Sequence, residues 1–242
     1  MRLKIYSLTA ACTLLATAAV AEDYQFEIGA SYVDLDVVDG FGGDIRAHFG
    51  IVQPGRGPLA EAAYLTRTGS VGVGYARFDG GDFDLWNIDT EFWADDFYLG
   101  AFYSRLDNGG KLETYGVRGG WMVAPNSRLH ATWERIDFDF ADVDVFTVGG
   151  KHVAELGGDA WFNFEADLGV ARNGSNDFAY RLRADYYPMR VFGIGARYAG
   201  IESDDEWGLG ASFFFTPRIN GAAEWTRADG DNVWELRLAA RF

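Results

Sequence analysis

Cysteine is almost missing: the chain has one, Cys12, in 242 residues. That residue sits in the apolar N-terminal stretch. From residue 22 onward there is no thiol to form a disulfide framework, ligate a metal or attack a substrate. Basic residues are few, 21 Lys and Arg against 36 Asp and Glu, for a formal net charge of −15. A nucleic-acid partner is thereby excluded, because phosphate binding needs a basic stripe. Proline is scarce, and beyond the N-terminus no run approaches the roughly 18 consecutive apolar residues of a membrane-spanning helix. A membrane location would then require a closed barrel, the other structure that satisfies its own backbone in lipid. No phosphate loop, zinc spacing or nucleotide fingerprint occurs.

The N-terminus reads as a secretory signal. Arg2 and Lys4 make a positive start, residues 5–20 are apolar, and Ala19-Val20-Ala21 is a small-x-small cleavage site before Glu22. Residues 1–21 are therefore expected to be a signal peptide and 22–242 a single domain. Removing Arg2 and Lys4 moves the net charge from −15 to −17. A lipoprotein reading through Leu8-Thr9-Ala10-Ala11-Cys12 fails on the shortness of the apolar segment ahead of Cys12.

What the chain has in abundance is alternation. At the C-terminus Trp234, Leu236, Leu238, Ala240 and Phe242 fall on one face of an extended strand, and Val233, Glu235, Arg237, Ala239 and Arg241 on the other. In 177–187, Phe178, Tyr180, Leu182, Ala184 and Tyr186 alternate with Arg181, Arg183 and Asp185. Strand-like runs of about ten residues recur between Gly, Asn, Asp and Pro turns. They predict fourteen strands, at 24–34, 43–51, 69–79, 83–94, 97–106, 111–123, 127–138, 143–154, 159–171, 177–187, 190–201, 205–215, 218–228 and 231–242. The period slips near Arg135, where a bulge is expected, and fades around Gly149 and Gly150. Segment 52–68, with Pro54-Gly55-Arg56-Gly57-Pro58, fits no strand of the series. It reads as a long connection, a short strand or helix, or a piece folded into the lumen, and leaves 12 or 16 strands as alternatives.

The connections sort by end. With the C-terminus placed in the periplasm, one end receives mostly tight turns such as 124–126 and 187–189. The other receives segments that are nearly all acidic, such as 34–39, 139–144 and 202–206. An even strand count with both termini periplasmic is the bacterial barrel pattern.

A soluble β-domain shares the period of two. Charges of both signs in mid-strand, aromatic girdles and the signal favour the inverted arrangement, apolar face to lipid. The polar face carries Arg46, Asp89, Glu91, Arg118, Glu134, Glu165, Asp167, Arg181, Arg183, Asp185, Arg197, Glu224, Glu235, Arg237 and Arg241, the expected pore lining. On the apolar face Tyr24, Trp86, Trp121, Phe178, Tyr186, Trp207, Phe215, Trp225, Trp234 and Phe242 lie near strand ends, as interfacial girdles would. Arg181, Arg183 and Arg197 are expected to face acidic rows such as Glu165, Asp167 and Asp185, giving a transverse field.

On these residues the chain resembles a Gram-negative outer-membrane porin-like β-barrel. Its strand 231–242, ending in Phe242, resembles the terminal aromatic strand that serves such barrels as an assembly signal. Gly57-Pro58-Leu59-Ala60-Glu61-Ala62-Ala63-Tyr64-Leu65 resembles a stretch of the general bacterial porins. The resemblance implies an all-β, transmembrane, up-and-down antiparallel barrel in the cell outer membrane. It implies passive diffusion of small hydrophilic solutes or ions, contact with outer-membrane lipids and lipopolysaccharide, and assembly by the barrel assembly machinery. The chain departs from trimeric porins in lacking a surface loop long enough to fold in and narrow the pore.

Other chemistry is thin. Rim acids such as Asp34-x-Asp36, Asp137-x-Asp139, Asp142-x-Asp144 and Asp204-Asp205-Glu206 could bind divalent cations, but no full calcium-loop pattern is present, and no metal or other cofactor is expected. A barrel lipid hydrolase would need a Ser/His pair. Of the three histidines, His48 and His130 fall on the polar face and His152 near the periplasmic end, none with an obvious serine in register, so catalysis is not expected. A non-conducting structural or adhesion barrel is the remaining alternative.

Overall fold

The computed structural model describes residues 23–35, 38–55, 57–79, 83–107, 111–138, 141–202, 204–228 and 230–242. The expected signal peptide, 1–21, lies outside them. The strands are β1 (Tyr24–Asp34), β2 (Asp39–Val52), β3 (Ser70–Phe78), β4 (Phe83–Ala94), β5 (Phe97–Asp107), β6 (Lys111–Ala124) and β7 (Ser127–Phe138). They continue as β8 (Ala141–Gly157), β9 (Ala160–Arg172), β10 (Asn176–Met189), β11 (Phe192–Ile201), β12 (Asp204–Thr216), β13 (Ile219–Ala228) and β14 (Asp231–Arg241). Each pairs antiparallel with its sequence neighbours, and β1 pairs with β14, so fourteen strands close one barrel with no free edge. At the seam the Phe242 amide donates to the Phe26 carbonyl at 2.8 Å, and the Phe242 carbonyl accepts from the Gln25 and Phe26 amides. The C-terminal aromatic residue is thus locked into the first strand.

The alternation sorts the faces. Phe41 and Ile45 of β2 are 62% and 58% exposed on the outside, as are Phe97, Val148, Phe178 and Phe215 on other strands. Their sequence neighbours point inward. The girdle aromatics face out, with one correction. Tyr24 is buried inside, edge-on to His48, because the register shifts between Tyr24 and Phe26 and inverts the alternation below it.

Three further expectations are corrected. Pairing runs unbroken past Arg135, and its irregularity on that hairpin is at Met122/Ala124 in β6. Arg135 faces outward at the strand end, bonded to Asp142 and Asp144, so a charge at the barrel rim mimicked a slip. β2 begins at Asp39, earlier than read, since Gly40, Gly42 and Gly43 carry no side chain to alternate. The acids are not wholly sorted to one end, because Asp95, Asp96 and Asp159 lie in turns at the end that carries the termini.

Residues 57–69 do not hang below the barrel. A single 3-10 turn (Leu59–Glu61) leads into a one-turn helix, α1 (Ala62–Thr66), that ends at Arg67 in the left-handed conformation. Ala62 packs on Tyr24 and Val52 at the β1–β2 wall, while Leu65 and Tyr64 pack on Val153, Trp161 and Tyr187 of β8, β9 and β10. β9 is seven strands from β2 in either direction round the ring of fourteen. The segment therefore crosses the bore from one wall to the opposite one, at the end where β1 begins and β14 ends.

Candidate functional site: the lumen and its inward-folded segment

The contacts and register of the fifteen charged residues expected on the polar face place them on the inward face of the alternation. Their ion pairs run along the wall rather than across the bore. Arg46 of β2 grips Asp89 of β4 with two bonds of 2.7 and 2.8 Å. Arg237 of β14 grips Asp44 of β2 at 3.1 and 2.7 Å. Arg197 of β11 meets Glu224 of β13 at 2.8 Å, and His130 of β7 shares a 2.5 Å bond with Asp167 of β9. Each pair skips one strand, and the skipped strand offers a glycine. A Cβ on Gly72 of β3 would sit 2.7 Å from Asp89 Oδ1 and 2.8 Å from Arg46 Nη2. One on Gly29 of β1 would sit 2.3 Å from Asp44 Oδ1. These bare positions are slots through which long side chains reach a partner two strands away.

The expected transverse field is corrected on the same ground. Arg181 and Arg183 of β10 stand in register with Asp167 and Glu165 of β9, and Arg197 is in register with Arg183. Both signs share one wall. Arg183 turns on its own strand to Asp185 at 2.9 Å, and Asp185 also accepts from Asn163 at 2.9 Å. Arg118 of β6 donates from Nε to Thr132 at 3.1 Å and has no carboxylate in ion-pair range among the described residues. Glu235 stands opposite Glu224 in register, two like charges of which Glu224 is paired with Arg197.

The inward-folded segment is fastened largely by groups the alternation alone did not single out. Lys151 of β8 lies between two carboxylates, Glu61 at 2.8 Å and Glu165 at 2.7 Å. The Tyr187 hydroxyl donates to the other oxygen of Glu61 at 2.9 Å. Arg241 donates to the Leu59 carbonyl at 2.9 Å and to Glu27 at 2.9 Å, stacked over Tyr24 and Phe214. Arg190 donates to the carbonyls of Gly57 and Pro54. The Arg128 guanidinium lies over both Tyr64 and Tyr98, 3.7 Å from Glu91. Arg67 binds Asp96 in the β4–β5 turn. Of these, Arg241, Glu91 and Glu165 were expected at the wall. Glu61, Lys151, Tyr64, Arg128, Tyr187 and Arg190 were not. The one available signal was Glu61 within an otherwise apolar turn, a charge that must find a cation once buried.

Two cavities flank the segment. One of about 480 Å³ is lined by Arg46, Asp89, Tyr98, Arg118, Tyr64 and neighbours, and one of about 200 Å³ by Ala60, Glu61, Arg183, Arg197 and Glu224. Space therefore reaches the segment from above on both sides.

One expectation about catalysis is also corrected. His152 does have a serine in register: Ser127 Oγ lies 2.7 Å from His152 Nδ1, on the outer face. Among the described residues no carboxylate lies in ion-pair range of His152, so the third member of a triad is not supplied. The rim motifs Asp34-x-Asp36 and Asp137-x-Asp139 lie partly outside the described residues. Among those described, no three such groups come together as a metal site.

Residues 2–146 match the family described as "putative general bacterial porin". The chain belongs to this porin family. It is an outer-membrane, porin-like channel for small solutes, in contact with membrane lipid. Among solved structures it is similar to the outer membrane protein Omp33 of Acinetobacter baumannii. That match has a TM-score of 0.76 at 23% identity and covers 91% of this chain and 99% of that one. A KdgM porin solved in complex with disordered oligogalacturonate matches with a TM-score of 0.52 at 8% identity, over 89% of this chain and 99% of that one. At such identities the likeness concerns the fold. No curated protein sequence matches the chain.

Proposed function

We propose that this porin conducts small hydrophilic solutes and ions past the fifteen wall charges, and that segment 57–69 sets the narrowest point, at the periplasmic end. The observation that carries this reading is the direction of the ion pairs. Because they close along the wall, the charges leave space in the bore instead of filling it. The obstruction that remains is a single segment tethered at a few points. Trimeric porins narrow the bore with a surface loop. Here the surface connections are short and the narrowing comes from below.

Residues 1–21 act in this reading as the cleaved export signal. The strand ending in Trp234, Leu236, Leu238, Ala240 and Phe242 is the part read by the barrel assembly machinery. The outward rim, rich in carboxylates and arginines, meets lipopolysaccharide. The barrel performs no chemistry. Single-channel recording in planar bilayers tests the reading. Wild type is expected to conduct KCl, and replacing residues 55–66 by a short Gly/Ser turn is expected to raise unit conductance several-fold. A silent wild type whose replacement variant is also silent would establish the non-conducting structural or adhesion barrel instead.

A further inference from the structure

The inner wall is not uniformly polar. Toward the acidic end, inward-facing Val145, Ala171 and Ala179 form a buried apolar cluster, extended by Ile136, Val143 and Ile201. A bore that served only ions would have no use for such a surface, which water wets poorly. Directly below it, Glu134, Arg181 and Glu206 open onto the same cavity, of about 390 Å³, with Asp204 and Asp205 at its rim. That volume lies in the range of small-molecule sites.

The charges there differ from the tightly paired ones elsewhere on the wall. Arg46 and Asp89 are saturated by two short bonds. Arg181 and Glu134 approach only to 3.8 Å without a hydrogen bond, and the Arg181 side chain is 54% exposed to the bore. Glu206 makes no ion pair or hydrogen bond among the described residues. Among the described residues an unsaturated cation and three unsaturated carboxylates, Glu134, Glu206 and Asp204, thus sit beside an apolar wall, while Asp205 is taken up by the Tyr180 and Tyr198 hydroxyls.

Resting on the channel reading above, we propose that this cavity is a solute-binding site for zwitterions with an apolar side group, of which α-amino acids such as leucine are the chemical class. The carboxylate takes the guanidinium of Arg181, which offers a planar donor pair to it. The ammonium takes Glu134, which lies beside Arg181. The side group lies on Ile136, Val145 and Ala179. A simple anion would face the carboxylates unrelieved, and a simple cation would leave Arg181 and the apolar wall without a partner. A neutral sugar would leave the apolar wall bare.

Titration calorimetry on the detergent-folded barrel tests this with four probes: L-leucine, glycine, isovalerate and isopentylamine. Leucine is expected to bind at least tenfold more tightly than each of the others. R181Q and E134Q are expected to lose at least tenfold in leucine affinity, and I136S to bring leucine down towards glycine. Heat-modifiable migration on gels shows that each variant is folded. Leucine binding no tighter than glycine or isovalerate would overturn the proposal, as would folded R181Q and E134Q with undiminished affinity. KCl conductance is measured separately. Its absence alongside leucine-specific heat would defeat the channel reading and leave the site standing.

Discussion

At the residue scale the wall is organised by what glycine leaves open. A Cβ on Gly72 would touch only the tips of Asp89 and Arg46, which can swing away. A Cβ on Gly169 would lie 1.8 Å from the Phe146 carbonyl oxygen and 2.7 Å from the Thr147 Cα, backbone atoms that cannot. Gly169→Ala is therefore expected to destabilise the barrel by about 1–3 kcal/mol, the usual cost of overpacking. Gly72→Ala should cost less than about 1 kcal/mol, because what it disturbs is a partly exposed ion pair. Urea unfolding of both variants in lipid vesicles checks the order. A second residue-scale expectation concerns sign. Arg181 and Arg183 stand in the bore beside the carboxylates of β9. Reversing both to Glu subtracts two positive charges and adds two negative ones, so the zero-current potential in a KCl gradient should move towards the potassium value. An unchanged potential would remove both residues from the lining.

At the element scale the inward-folded segment hangs on Lys151. Its ammonium is nearly enclosed, 11% exposed, and is the common partner of Glu61 on the segment and Glu165 on the wall. Lys151→Met leaves two carboxylates facing each other without a cation. Breaking one side of a buried pair costs about 3–5 kcal/mol. A segment that weakly tethered should leave its dock, and recordings should gain long, high-conductance openings, with no such gain in a Lys151→Arg control. Little of this device was legible. Periodicity located the fourteen strands because lipid outside and charge inside impose the same period on every one of them. A connection obeys no such rule. Beyond the lone charge of Glu61, nothing local in Pro58 to Leu65 states that it will turn inward, because its partners lie as far along the chain as Arg241, Tyr187 and Arg190. Tyr24 was misplaced for a related reason: a register shift inverts alternation without leaving a mark in composition.

At the scale of the whole molecule the decisive quantity is which face meets hydrocarbon. Leu209 and Ser212 lie on β12, Leu209 exposed on the outer surface and Ser212 lining the smaller lumen cavity beside the segment. Alternation separates the two faces, and only the surrounding solvent decides which of them tolerates a charge. A soluble barrel would accept Leu209→Arg without difficulty and would suffer from a charge placed at Ser212. In a membrane the order inverts. Arginine at position 209, near the middle of the span, should cost about 2–4 kcal/mol. At position 212 it would join Arg183, Arg197 and Glu224 around a lumen cavity and cost less than at position 209. Reversible unfolding in phospholipid vesicles measures both. Equal costs, or a larger one at Ser212, would mean that the exposed Phe, Leu and Trp side chains of this barrel do not face lipid.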